Sequence, residues 1–249
     1  MAKKTTVKEE LKDKLRKAKA NKGPTVVNFI LDKSGSMSSM SDAVVSGFNE
    51  YVDNLRKQKD LLFSFTLFDS DEVEKRYVAE PIKTVVPLTK DTYQPGSTTP
   101  LYDAVCDTIK EASSKLDKEY EKYASLVVIM TDGMENASSH YTMQDFVKLK
   151  KELEKKGNWT FVFMGANQDA WATAQQYGFS AGNTMSWDAT AAGAKSAMRS
   201  LSENTVMYAS AMAAGGGGGG SGMLNTANFF DGSKTDDEVL KKKLGKLSK

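Results

Sequence analysis

The sequence predicts an α/β fold: a doubly wound, mostly parallel sheet with one antiparallel edge strand and helices on both faces. Two observations predict it. Apolar runs of strand length, such as Val26-Val27-Asn28-Phe29-Ile30-Leu31, alternate with segments whose apolar residues recur at helical spacing. The strand runs are close to continuously apolar, the habit of strands buried on both faces, as in parallel sheets covered by helices.

The elements follow in chain order. Residues 6–20 read as an amphipathic helix, with Val7, Leu11 and Leu15 four apart among lysines. Asn21-Lys22-Gly23-Pro24 ends it. Residues 25–31 are the first strand. Val44, Val45, Phe48, Tyr51, Val52 and Leu55 form a stripe with a 3.6-residue period, so 40–58 is a helix. Residues 61–68 are a strand, and 72–78 alternate enough to pair beside it as the antiparallel edge. Residues 81–95 read as loop with a short extended piece. Leu101, Val105, Ile109, Ala112 and Leu116 point one face of a helix over 99–118 inward. Residues 124–131 are a strand, 142–156 a helix closed by Gly157, and 159–164 a strand. A short helix over 169–176 and a last strand over 184–187 follow. An alanine-rich helix runs from Asp188, its expected N-cap, to Ala213.

The domain organisation read from this is a basic helix over 1–23 and an α/β domain over 24–214. A glycine linker over 215–222 and a lysine-rich tail over 223–249 complete it. Gly215–Gly220 is six consecutive glycines, a flexible joint by composition. Thr235-Asp236-Asp237-Glu238 is a capping box ahead of a lysine-rich helix.

A chain of 249 residues, 40% hydrophobic and 27% charged, is long enough for one α/β domain with a substantial core. A single cysteine, Cys106, gives no disulfide framework. It sits on an inward helical stripe and reads as a small buried hydrophobe. The basic N-terminus lacks a following apolar stretch, so no signal peptide is read. The uncharged run over 205–230 is broken by its glycines, so no membrane-spanning segment is expected either. The simplest localisation is intracellular.

Net charge of +2 hides an asymmetry. Of 34 basic residues, nine lie in 1–22 and six in 231–249, leaving 19 between them. Of 32 acidic residues, three and four lie in those ends, leaving 25. An acidic central domain with basic ends argues against a dedicated nucleic-acid binder, which needs its basic patch on the fold.

The chemistry gathers where two strands end. Asp32-Lys33-Ser34-Gly35-Ser36 follows the first strand and offers one carboxylate and two hydroxyls at i, i+2 and i+4. Gly96-Ser97-Thr98-Thr99-Pro100-Leu101 offers a threonine hydroxyl at the start of a helix. Thr131-Asp132-Gly133 ends another buried strand in a carboxylate. Hard oxygen donors of this kind suit a hard divalent cation such as Mg²⁺, and open α/β sheets bind ligands beyond the carboxyl ends of their strands.

These three segments, in this order, resemble the von Willebrand factor A (vWA) family, whose metal-ion-dependent adhesion site is Asp-x-Ser-x-Ser, then Thr, then Asp. The resemblance covers roughly residues 24 to 214. It implies metal ligation by Asp32, Ser34, Ser36, Thr99 and Asp132, with Mg²⁺ or Mn²⁺ as the ion. Gly96 stands one residue further back than the family's Gly-Gly-Thr-Pro-Leu variants have it, so Thr98 stays open as an alternative ligand. The resemblance also implies that a carboxylate from a partner protein completes the coordination shell.

Lys33, Met37, Thr98, Met134, Glu135 and Asn136 lie close in sequence to these loops and would form a partner-binding rim. Met40, Ser138 and His140 lie nearby. His140 is the single histidine, with no second histidine or free cysteine cluster to build a zinc site. Gly165-Ala166-Asn167-Gln168-Asp169 fits neither a dinucleotide nor a Walker pattern.

No acid, base or nucleophile set stands beside the metal motif. The expectation is therefore a non-enzymatic, metal-dependent protein-binding module, with no membrane role. Likeness to intracellular vWA proteins of bacteria and their phages implies work in assembling complexes. The alternative is a structural component of a phage particle or other large complex, its tails contacting neighbours. The localisation is then the cytoplasm, or the virion for a phage-encoded chain.

Overall fold

The computed structural model describes residues 23–69, 72–166, 170–214 and 228–230. The helix expected over 6–20, the glycine joint and most of the lysine-rich tail lie outside the described residues.

Six strands form the sheet: β1 Thr25–Asp32, β2 Leu61–Phe68, β3 Val73–Pro81, β4 Ala124–Thr131, β5 Trp159–Ala166 and β6 Thr184–Trp187. Their order is β3-β2-β1-β4-β5-β6. Every pairing is parallel except β2–β3, the antiparallel edge. The helices are α1 Ser41–Leu55, α2 Leu101–Glu119, α3 Met143–Lys155, α4 Ala170–Gln176 and α5 Ala191–Ala213. This is the doubly wound architecture expected from the alternation of elements.

The β1 strand is buried along its whole length, which explains its unbroken apolar run. Its side chains divide between two cores. Val27, Phe29 and Leu31 face α1 and α5, while Val26 and Ile30 face α2 and α3. The first core is aromatic at its centre: Phe48 of α1 stacks on Phe65 of β2 with ring centroids 4.4 Å apart, and Phe29 meets Phe48 edge-on at 5.7 Å. Each buried phenylalanine contributes roughly 1.5–3 kcal/mol relative to exposure. Cys106 is fully buried in the second core, and burial pushes its thiol up to about 12.

The sequence reversal in the sheet falls between β1 and β4. Chain before β4 fills one side, and chain after it fills the other, so the carboxyl ends of β1 and β4 form the topological switch point.

Two local expectations change, and one contact from beyond the glycine run joins the domain. Asp188 does not cap the last helix; Thr190 does, its hydroxyl accepting from the Gly193 N–H at 3.1 Å. The segment between β3 and α2 contains one 3-10 turn, Ile82–Thr84, and is pinned to α1 by Asn49, whose side chain both donates to the Leu88 carbonyl (2.9 Å) and accepts from the Leu88 N–H (2.7 Å). Phe229, from beyond the glycine run, packs on the domain. It lies 6.1 Å from the Tyr208 ring and is 5% exposed, and its N–H donates to Asn183 Oδ1 at 2.9 Å.

Candidate metal centre

β1 and β4 run in register, with Leu31 opposite Met130, so Asp32 and Thr131 emerge level at the sheet's carboxyl edge. The Thr131 hydroxyl donates to Asp32 Oδ2, and the Ser34 N–H donates to Asp32 Oδ1 at 2.7 Å. Asp32 is thereby aimed rather than free to rotate. The Ser36 hydroxyl donates to Asp132 Oδ1 at 2.6 Å and lies 3.2 Å from the Ser34 hydroxyl. These contacts join the carboxylates of two strands through two serines.

The third segment is zipped onto the first by backbone. Gly96 N–H donates to the Lys33 carbonyl (2.7 Å), and Gly35 N–H to the Ser97 carbonyl (3.3 Å). A side chain at Gly35 would put its Cβ 2.7 Å from the Gly96 carbonyl oxygen, so only glycine permits this approach. The zipper delivers Thr99, which is 3% exposed.

Gly133 marks where the segments converge. A Cβ there would meet Thr99 Oγ1 at 3.1 Å, Ser36 Oγ at 3.7 Å and Asp32 Oδ2 at 3.8 Å. Three oxygens from the first two segments therefore surround one point on the third where the chain has no side chain. The hydroxyl beside that point belongs to Thr99. The donors are two carboxylates and three hydroxyls, the composition that a hard divalent cation takes. Among the described residues no group of three or more His, Cys, Asp or Glu gathers to hold a metal, so any ion here must rely on hydroxyls.

The electrostatics agree with a cation. Asp32 is completely buried, and burial outweighs its hydrogen bonds from Thr131 and Ser34, pushing its carboxyl up to about 6; the charge of Asp132 adds to the rise. Burial also raises Asp132. Two partly desolvated carboxylates side by side are costly when ionised unless a positive charge joins them.

The expected rim is sorted by its hydrogen bonds. Met37 is not at the rim: it is 0% exposed, because the 3-10 turn Gly35–Met40 directs it into the core with Met40. The Lys33 ammonium lies 3.2 Å from Asp69. Glu135 is engaged by its own loop and by the start of α2, accepting from the N–H groups of Ala137 (2.8 Å), Ser138 (2.7 Å) and Tyr102 (3.0 Å). Asn136 holds Thr99. Thr98 is half-buried and Met134 is 69% exposed. His140 Nδ1 lies 3.4 Å from Asp103 Oδ2, and the His140 side chain is exposed.

Sequence reasoning missed three supporting residues. Tyr93, buried, donates its hydroxyl to the Asp32 carbonyl at 2.8 Å. Thr131 orients the Asp32 carboxylate. Asp103 accepts from the N–H groups of Ser139, His140 and Tyr141 at 2.8, 3.1 and 2.8 Å, stapling the loop after Asp132 onto α2. Thr131 adjoins Asp132 in the motif and was legible there; Tyr93 and Asp103 carried no signal in spacing.

No protein-family model matches the chain, and no curated protein matches it. Solved structures do. Proximal thread matrix protein 1 from the mussel byssus aligns with TM-score 0.53 and 16% identity over 73% of this chain and 46% of that one. The chain thus spans about half the length of that protein. The vWF domain of a type V pili tip protein from Porphyromonas gingivalis aligns with TM-score 0.52 and 9% identity over 80% of this chain and 98% of its own. The SpRpn10 VWA domain aligns with TM-score 0.51 and 7% identity over 72% and 95%. At these identities the likeness shows the fold, which is that of vWA domains.

Proposed function

We propose that this chain is a non-enzymatic protein-binding module in which a divalent cation engages a carboxylate of a partner protein. Asp32, Ser34, Ser36, Thr99 and Asp132 would hold Mg²⁺ or Mn²⁺. The bound ion supplies an electrophilic position that a partner's aspartate or glutamate can fill. The single observation that carries this reading is the convergence of Asp32, Ser36 and Thr99 oxygens around Gly133.

The chain's own residues do the rest. Thr131 and the Ser34 N–H fix the Asp32 carboxylate, and Ser36 fixes that of Asp132. Neutral Ser34, Ser36 and Thr99 ligate without cancelling the ion's charge, so it stays attractive to an incoming anion. The likeness to a pilus tip domain supports a binding role, as analogy of fold. The second reading, a structural component of a phage particle or other assembly, draws on the mussel thread matrix protein in the same way. The work is assigned to the cytoplasm, or to the virion in the second reading.

Capture of partners by the immobilised full chain from its native source tests the reading. Binding that disappears in chelator, returns with Mg²⁺ or Mn²⁺, and weakens with Thr99→Ala supports it. A partner held equally well in chelator and by Thr99→Ala overturns it.

A further inference from the structure

A second charged surface lies away from the metal centre, on the outer side of α3. This helix carries five lysines at positions 148, 150, 151, 155 and 156, counting the residue that caps it. They fall into two sets. Lys150 is buried, pairs with Glu154 at 2.9 Å and donates to the Gly178 carbonyl at 2.8 Å. Lys156 pairs with Asp117 at 2.9 Å. Lys148, Lys151 and Lys155 are exposed and have no ion-pair partner among the described residues.

The three unpaired lysines share one groove. It has a volume of about 420 Å³ and lies between α3 and the end of α4, where Gln176 contributes. Met143 and Val147 supply its apolar lining, and Glu152 is the single acid on it. Lysine stems add apolar surface while their ammonium groups stay in water. Spacing from Met143 to Lys155 makes the groove about 18 Å long at 1.5 Å per residue. The described core of the chain is otherwise acid-rich, so this basic stripe is local rather than a general property of the domain.

We propose that the α3–α4 groove is a second docking surface, one that takes an acidic, amphipathic helical segment of a partner protein. Charge complementarity selects the acid. The lysines at helical spacing match carboxylates recurring every three or four residues, and Met143 with Val147 receives the apolar residues between them. Methionine suits such a lining because it adapts to varied side chains. A helical segment no longer than the stripe keeps its carboxylates within it, whereas a nucleic acid running past either end would carry its phosphates onto the acid-rich domain. This surface needs no metal, so it acts independently of the centre at Asp32.

The test uses the full chain with Gln176→Cys labelled by an environment-sensitive thiol dye. The native Cys106 is buried, with a thiol pushed up to about 12, so labelling goes to the introduced thiol. Probes are a synthetic helical peptide of roughly 18 residues with Glu and Leu on opposite faces, its Gln-for-Glu counterpart, and an oligothymidylate, all in chelator. The expected result is a saturable emission change with the Glu peptide, weakened by salt. The Gln peptide gives little change. K148E/K151E/K155E, and the milder K148Q/K151Q/K155Q with an unchanged thermal melt, weaken binding by about tenfold or more. Equal response to the Glu and Gln peptides overturns the proposal, as does no response to the Glu peptide. Oligothymidylate binding as tightly as the Glu peptide overturns it in favour of a nucleic acid, and self-association abolished by the charge reversals overturns it in favour of a second copy of the chain.

Discussion

Thr99 and Asn136 hold each other by two hydrogen bonds: the Thr99 N–H donates to Asn136 Oδ1 at 2.8 Å, and the Asn136 N–H donates to the Thr99 carbonyl at 3.2 Å. The clamp ties the loop after Asp132 to the segment that presents the threonine hydroxyl. Asn136→Ala removes the acceptor and leaves the buried Thr99 N–H unpaired, at a cost of roughly 1–2 kcal/mol. Mn²⁺ affinity measured by calorimetry is expected to fall by about tenfold. Asn136→Asp, which keeps an acceptor oxygen, is expected to recover most of it. Equal affinities for wild type and Asn136→Ala would show that the clamp does not position the ion's donors.

Gly133 offers a substitution that targets the ion and spares the fold. It is half-exposed, so an added methyl meets little of the core. That methyl would stand 3.1 Å from Thr99 Oγ1 and close to the Ser36 and Asp32 oxygens, in the space between the donors. Gly133→Ala is expected to lower Mn²⁺ affinity by more than tenfold, about 1.4 kcal/mol, with a thermal midpoint close to wild type. An alanine variant that binds the ion normally would show that the donors do not close around this point.

The pH dependence follows from Asp32. Its folded carboxyl stands at about 6, above the ordinary 3.8. A raised value contributes stability that is fully present below about 4 and is lost as pH rises through about 6. The loss is at most on the order of 3 kcal/mol, at 1.36 kcal/mol per pH unit. Chelator-treated wild type is therefore expected to lose thermal stability from about pH 4 to 7 relative to Asp32→Asn. A divalent ion takes the ionised carboxylate, so its affinity is expected to rise across the same window. Affinity that is flat between about pH 5 and 7 would contradict the assignment of Asp32 as a ligand.

Phe229 ties the short described segment 228–230 to the domain. Its ring packs on Tyr208 and meets Phe230 at 5.0 Å. Phe229→Ala is expected to cost about 2 kcal/mol, below the range for a central core phenylalanine. That corresponds to roughly 4–8 °C in thermal midpoint for a domain of this size. A fragment ending at residue 214 is expected to show the same deficit. Unchanged melting of both would mean that the contact contributes nothing to stability.

The fold was legible because each buried strand announces itself as an apolar run and each helix as a stripe. The aromatic core follows from the same pattern, Phe29 and Phe48 lying on the inward sides of their elements. The site was legible as far as short oxygen-bearing residues fall at strand ends, as Asp32 and Asp132 do. What spacing does not carry is side-chain direction across the fold. Met37 reads as rim by its neighbours in sequence, yet a 3-10 turn buries it. Tyr93 is 61 residues from Asp32, whose backbone carbonyl it holds, and Asp103 is 36 residues from Ser139 in the loop it staples, and only the folded chain brings them there. Asp188 lost the cap to Thr190 because either residue suits the role and local backbone geometry decides between them.

Whether a single divalent cation is held between Asp32 and Asp132 is decided by titrating the chelator-treated full chain with Mn²⁺. Asp32→Asn and Asp132→Ala serve as the comparison, with thermal melts to establish that both are folded. Asparagine is used at 32 because that side chain is fully buried and keeps the shape of the carboxylate. Wild type is expected to take up one ion per chain, displaced by excess Mg²⁺, and both folded variants to lose that binding. Wild type that takes up no ion, or variants that bind it as wild type does, would contradict a cation site between the two carboxylates.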